Sequence, residues 1–197
     1  ILANRAVGGC DGPVGRKIYE IVNCMENRAK AIGEDMRGGQ PTPGNIAGGL
    51  SSIEEKSLGA IVKSGHRPIQ GVLEYPEFIT TQKGLWIKDT PGREPEILTG
   101  MAATGAQFMM FSTGRGAPQG FPTMPVMKIC GNPNTYERMQ HDMDINAGRI
   151  ITGEKHIDQV GEEAFEMMLD VLSGRMTKNE SLTYFSTMDI YCLGPVI

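Results

Sequence analysis

The sequence has no surplus of positive charge. Its 19 lysines and arginines stand against 23 aspartates and glutamates, a formal net charge of −4 with a pI near 5.4. Nucleic acid and anionic membrane surfaces both select a basic face, so neither is expected as a partner and any anion site has to be local. Long apolar runs are missing too: no uninterrupted stretch approaches the roughly 20 residues of a membrane span, and no charged-then-apolar leader opens the chain. The four cysteines, Cys10, Cys24, Cys130 and Cys192, form no Cys-x-x-Cys pair and no regular framework. That usage predicts reduced thiols and a cytoplasmic location. Neither Gly-x-Gly-x-x-Gly nor Gly-Lys-Ser/Thr stands where a nucleotide site needs it, and there is no internal repeat.

What the chain does have is glycine. There are 26 glycines and 12 prolines, gathered in clusters between apolar runs without the period of collagen or the monotony of a linker, so they read as tight functional turns. Hydrophobic residues at 40% and charged residues at 21% are ordinary for a globular protein. A length of 197 residues predicts a single domain over 1–197. Ile1 to Val7 already resembles the interior of a protein, which suggests a domain excised from a longer polypeptide.

The most informative stretch runs from Pro41 to Gly65. Pro43, Gly44, Gly48 and Gly49 predict a loop that feeds directly into a helix from about Ser52 to Ser64, closed by Gly65. Ser51 and Glu54, or Ser52 and Glu55, have the spacing of a capping box. Either register aims backbone N–H groups, hydroxyls and Lys56 at one patch of solvent, which describes a pocket for a small anion. Asn45, Gly48, Gly49, Ser51 and Ser52 are its candidate substrate-binding residues. Lys56 and Lys63 lie about two helical turns apart, nearly on one face, and a partly desolvated lysine can act as a base near neutral pH. The competing reading is a pair of solvated surface lysines.

Around that stretch the periodicity predicts alternating helices and short apolar strands. A first helix covers Asp11 to Ile32, with Ile18, Ile21, Val22, Met25, Ala29 and Ile32 as its buried face. Strands follow at Ile69–Leu73 and Leu85–Ile87, with a loop at Pro76 between them. A helix is expected from Ile97 to Ala106, then a fully buried strand from Gln107 to Phe111 and another from Val126 to Cys130. Asn132-Pro133 caps a helix through Gln140. The last strong helix, Ile157 to Ser173, is expected to bury Val160, Ala164, Phe165, Met168, Leu169 and Leu172. The tail from Leu182 is expected to dock on the domain. This order predicts an α/β fold: a layered helix-sheet-helix domain with a mostly parallel sheet and glycine-rich ligand loops.

The second chemical stretch, Phe111-Ser-Thr-Gly-Arg-Gly, leaves the carboxyl end of a strand, where open α/β sheets place ligands. Arg115 can present its planar fork to a carboxylate while Thr113, Gly114 and Gly116 surround the same ligand; the competing reading is an arginine paired with a structural carboxylate. Candidate metal donors are weak: Glu55, which competes with a capping role; Asp144, which competes with a turn role; and His66, which follows the Lys63 helix end.

Pro43-Gly44-Asn45, Gly48-Gly49, Ser51-Ser52, Glu54-Glu55-Lys56-Ser57-Leu58-Gly59, Lys63-Ser64-Gly65, Thr113-Gly114-Arg115-Gly116, Pro118 and Asp144-Ile-Asn-Ala-Gly together resemble the altronate and galactarate dehydratase family, which includes the large subunit of sulfolactate sulfo-lyase. The likeness runs in order from about Asp35 to Gly174, with Ser51-Ser52 where a Thr-Thr pair is usual. It implies a lyase that removes the proton beside a hydroxy-acid carboxylate and expels water or bisulfite. It also implies a divalent metal, iron(II) in the first place, and a chain that is the later part of a larger polypeptide, whose upstream domain or a small subunit could hold the metal ligands; an oligomer is expected. On this reading the two glycine loops are opposed walls of one pocket, with Lys56 or Lys63 as base and Arg115 on the carboxylate. The alternative is a non-catalytic anion-binding or assembly domain that supports a catalytic half upstream.

Overall fold

In a computed structural model of the chain, residues 1–36, 38–47, 49–75, 77–79, 83–185 and 188–190 are described. Pro76, Cys192 and most of the tail expected to dock fall outside them. Helices and parallel strands alternate, so the fold is α/β. The chain divides into two units, Ile1–Asp89 and Thr90–Ile197. Among the described residues no helix is long and apolar enough to cross a membrane.

The first unit opens on a 3-10 turn, Ala3–Arg5, followed by α1 (Pro13–Ala31), α2 (Pro43–Ala47), α3 (Ile53–Lys63), β1 (Ile69–Leu73) and β2 (Leu85–Lys88). Strands β1 and β2 pair in parallel, and Val7 N–H extends the pairing by donating to the Ile69 carbonyl at 2.9 Å. Gly71 is required on β1 because a Cβ there would sit 2.1 Å from the ring of Trp86. Arg5 ties the start of the unit to the end of α3: its guanidinium donates to the Ser64 hydroxyl at 2.7 Å and to the Ser64 and Arg67 carbonyls.

Two expectations change here. The Pro43-Gly44-Asn45 stretch, expected as loop, is one turn of helix. Thr42 Oγ1 accepts the Asn45 N–H while Asn45 Oδ1 accepts the Thr42 N–H, a reciprocal cap that lets five residues hold a turn. The apolar stripe of α1 is also not a buried face. Gly15 is its buried position, where a Cβ would lie 2.3 Å from the Gly9 carbonyl oxygen, whereas Val22, Met25 and Ile32 are exposed. Amphipathic spacing says that a helix has an apolar face, and only packing decides whether that face is covered.

The second unit comprises α4 (Glu94–Ala103), β3 (Met109–Thr113), β4 (Val126–Cys130), α5 (Pro133–Arg138), β5 (Ile145–Asn146), α6 (Gly148–Ile151), α7 (Ile157–Leu172) and α8 (Lys178–Ser181). Its sheet has the order β3-β4-β5, all parallel. One face carries Leu98 of α4 with Phe121, Met124 and Val126; the other carries Val160 and Ala164 of α7 with Met127 and Ile145. Each fully buried side chain of this kind contributes roughly 1.5–3 kcal/mol.

Helix α4 begins three residues before the expected Ile97, because Pro95 fits its first turn. Strand β3, expected to be fully buried, is an edge strand. Its inner positions are half-buried and Met110 and Ser112 are exposed, whereas the central β4 is buried at four of five positions. On α7 the covered stripe is Val160, Ala164 and Val171 with Met167, and the expected Phe165, Leu169 and Leu172 are exposed. Of the tail, the Tyr184 carbonyl accepts from Gly120 N–H at 2.9 Å, and the Tyr184 and Phe185 rings stay about half exposed.

Candidate functional site

In the first unit, Ser52 is the N-cap of α3, its hydroxyl accepting the Glu55 N–H at 3.2 Å. Glu55 reaches back one residue further than an ideal capping box: its carboxylate accepts the Ser51 N–H at 2.7 Å and the Ser51 hydroxyl. Those two bonds, the hydroxyl first, hold the Glu55 carboxyl below the usual carboxylate range. The Ser51/Glu54 register is not used. Glu55 therefore serves the helix start, and Ser52 retains a hydroxyl proton to donate outward.

Lys56 is half-buried on the first turn of α3 and donates to Asn45 Oδ1 at 3.0 Å and to Gln40 Oε1. Two of the candidate residues, Lys56 and Asn45, are thus in direct contact, joined through the α2 turn. Gly49 follows α2 at a φ of +106°, in the left-handed region that favours glycine. Gly48 lies outside the described residues. Lys63 stands exposed in the last turn of α3, and His66 is exposed beyond it.

In the second unit the Thr113–Gly116 turn sits at the carboxyl end of β3. Gly116 N–H donates to Thr113 Oγ1 at 3.0 Å, and the Gly114 carbonyl accepts from the Thr135 hydroxyl at 2.9 Å. Gly116 has φ +86°, in the left-handed region that favours glycine, and a Cβ there would displace the flexible end of the Met139 side chain, whose Sδ would lie 2.1 Å away. The Gly116 amide is spent on closing the turn. Arg115 projects from it, exposed to solvent.

Asp144 has a different place from a ligand or a turn. Its Oδ2 accepts the Lys128 N–H at 2.7 Å and its Oδ1 the Lys178 N–H at 2.9 Å, pinning α8 to the central strand. Burial pushes its carboxyl above the usual range, against the pull of those two amides. The fit to a divalent metal is correspondingly poor. Among the described residues no three His, Cys, Asp or Glu side chains gather, Asp144 spends both carboxylate oxygens on backbone amides, and Glu55 spends its Oε2 on Ser51.

The match to known proteins covers both units. The family described as D-galactarate/altronate dehydratase, C-terminal, matches residues 1–194. The chain belongs to this family. Among its relatives it is 37% identical to the (2R)-sulfolactate sulfo-lyase subunit beta of Chromohalobacter salexigens, over 84% of this chain and 42% of that protein. It is 38% identical to the galactarate dehydratase (L-threo-forming) of Escherichia coli, over 89% and 32%, and 39% identical to the altronate dehydratase of Bacillus subtilis, over 71% and 28%. The chain thus spans less than half the length of these dehydratase-family relatives.

In this dehydratase-family chain Lys128 belongs to none of the glycine-rich motifs, yet it is the most deeply buried charge among the described residues. Its side chain is fully buried on β4, paired with Glu94 at the start of α4 and lying 4.2 Å from the centre of the Phe111 ring. Burial lowers its pKa, and the Glu94 carboxylate works against that shift. The signal was present: a single charge in the middle of the apolar run Val-Met-Lys-Ile-Cys has to find a partner inside. The family members named above are lyases, and lyase-type chemistry is the activity of this family.

Proposed function

We propose that this chain is the carboxylate-binding part of a lyase that removes the proton beside the carboxylate of a hydroxy acid and expels a β-substituent. Arg115 carries the reading. It is an exposed guanidinium on a built glycine turn at the carboxyl end of a parallel strand, in a family of dehydratases and a sulfo-lyase subunit. Its planar fork matches a carboxylate with two parallel N–H···O bonds, and such charge-assisted bonds stabilise the negative charge that grows as the α-proton leaves.

Lys56 or Lys63 takes the α-proton. The electron pair of the broken C–H bond forms the new double bond, and the β-substituent leaves with its own bonding pair, as water once protonated or as bisulfite. Lys56 is favoured because it is half-buried and oriented by Asn45 and Gln40, whereas Lys63 is exposed. A neutral Lys56 amine has two N–H groups, enough to keep both amide oxygens, and a lone pair left over for the α-proton.

The substrate class is a small anionic hydroxy acid, of the altronate, galactarate or sulfolactate type. Donors for iron(II) or another divalent metal would come from outside the described residues. The three relatives are more than twice as long as the regions matched and one is named a subunit, which supports a further domain or second subunit; we take the whole to be a cytoplasmic oligomer. A second reading, an assembly domain without chemistry of its own, draws on the exposed apolar residues Val22 and Met25 of α1, Ile32 just after it, and Phe165, Leu169 and Leu172 of α7.

Assaying the full-length protein on altronate, galactarate and (2R)-sulfolactate, with and without iron(II), tests the lyase reading. Turnover of one is expected, and turnover of none would sink it.

A further inference from the structure

The parallel sheet of the second unit ends in a polar row. Thr113 of β3 pairs with Cys130 of β4, and Cys130 with Asn146 of β5, so the last residues of the three strands stand side by side. Ile145 belongs to the cluster beneath α7, and strand alternation turns Asn146 to the opposite face, the one that carries Val126, Lys128 and Cys130. Two strand spacings, roughly 10 Å, separate Thr113 from Asn146. The turn that presents Arg115 grows from one end of this row.

Asn146 is the member whose chemistry is incomplete. Its Oδ1 has under 1 Å² of accessible surface and no hydrogen-bond partner among the described residues. The other groups of the row are occupied: Thr113 Oγ1 accepts from Gly116 N–H, Cys130 Sγ donates to the Asn132 carbonyl at 3.3 Å, and the Asn146 carbonyl accepts from Arg149 Nε at 3.1 Å. A buried amide oxygen without a donor is costly, and in a native protein such an atom calls for a specific partner. An oxygen acceptor selects a donor, and the donors of a hydroxy acid are its hydroxyls. Asn146 as a whole keeps partial exposure, and the terminal torsion of an asparagine is broad and soft, so the amide can turn its oxygen to the open side.

We propose that Asn146 reads a substrate hydroxyl, its side-chain oxygen accepting a hydrogen bond from a hydroxyl of the acid whose carboxylate Arg115 holds. The inference rests on the lyase reading and adds a specificity-determining residue to it. A site built to bond a hydroxyl discriminates against an analogue that lacks one, because its own polar group is then left unpaired.

The test is the full-length enzyme with Asn146→Leu, which removes the oxygen and leaves an apolar side chain, and Asn146→Asp, which keeps acceptor oxygens. The assay uses whichever of altronate, galactarate and (2R)-sulfolactate the wild type turns over, beside its analogue with one hydroxyl replaced by hydrogen. Asn146→Leu is expected to lose about 10- to 150-fold in kcat/KM on the hydroxylated acid and little on at least one deoxy analogue, with an unchanged thermal midpoint. Asn146→Asp is expected to retain the preference for the hydroxylated acid. Wild-type kcat/KM in Asn146→Leu, or equal losses on the acid and every deoxy analogue, overturns the proposal. If Asn146→Leu does not fold, loss of the preference in a folded Asn146→Asp overturns it. Should Arg115→Ala lower kcat/KM by about 10²–10³-fold while Asn146→Leu keeps the wild-type value, the lyase reading stands and this inference alone fails; with no turnover of any acid by wild type, both fall.

Discussion

The Asp144 carboxylate lies 2.7 Å from the backbone nitrogen of Lys128. That bond crosses from the edge of β5 to the central strand, and the second oxygen of Asp144 holds the first residue of α8. One side chain therefore satisfies two backbone amides 50 residues apart in the chain (Lys178 minus Lys128). Asp144→Ala should cost about 2–4 kcal/mol of stability by leaving both amides without a partner. Urea denaturation measures it, and a cost under about 1 kcal/mol would show that the amides find other acceptors.

Lys128 and Glu94 form a pair in which one partner is fully buried and the other nearly so. Removing only the carboxylate strands an ammonium inside the unit. Glu94→Gln should cost about 3–5 kcal/mol, whereas the double variant Glu94→Gln with Lys128→Met should recover most of that loss, since apolar replacement of a buried pair is often neutral. A double-mutant cycle by chemical denaturation reads the coupling. Additive losses would overturn the assignment.

The two buried groups also predict a pH signature. Burial lowers the Lys128 pKa, so between its folded value and the unfolded value near 10.4 the unfolded chain binds more protons and stability rises with pH. Asp144 is raised, so its favourable contribution is present below about pH 3.9 and is lost as pH rises through its folded value. Stability against pH in the alkaline window should slope upward in the wild type and flatten in Lys128→Met. An identical slope in both proteins would place the titration elsewhere.

Arg115 is exposed and makes no contribution to the core. Arg115→Ala in the full-length enzyme should lower kcat/KM by about 10²–10³-fold, as expected for losing a group that stabilises developing charge. Stability should stay within about 0.5 kcal/mol of wild type. Wild-type turnover would remove Arg115 from the reaction.

The lysine assignment separates by position on α3. Lys56→Ala should reduce turnover by orders of magnitude while Lys63→Ala leaves it nearly intact, measured as kcat on the same substrate. If neither lysine matters, the chain supports chemistry carried elsewhere.

Much of this protein was decided locally. Ser52 capping α3, Asn132 accepting two amides ahead of Pro133, and left-handed glycines after α3 and α7 are contacts or conformations within a few residues, so the spacing alone located these helix ends. The strands at Ile69–Leu73 and Val126–Cys130 were equally legible from short apolar runs bounded by turn residues. The glycine of the Thr113–Gly116 turn and the exposed Arg115 could be read from the motif, because the steric freedom of glycine is intrinsic to the residue.

Tertiary structure decided the rest. Whether β3 is central or an edge, and which stripe of α7 is covered, depend on pairing between segments far apart in the chain. Lys128 meets Glu94 across 34 residues, and Asp144 meets the Lys128 and Lys178 amides across 16 and 34. Periodicity reports the face a segment could bury, and long-range packing then selects the neighbours. The chemistry of Asp144 and Lys128 followed from those neighbours: desolvation and unsatisfied amides exist only once the sheet has formed.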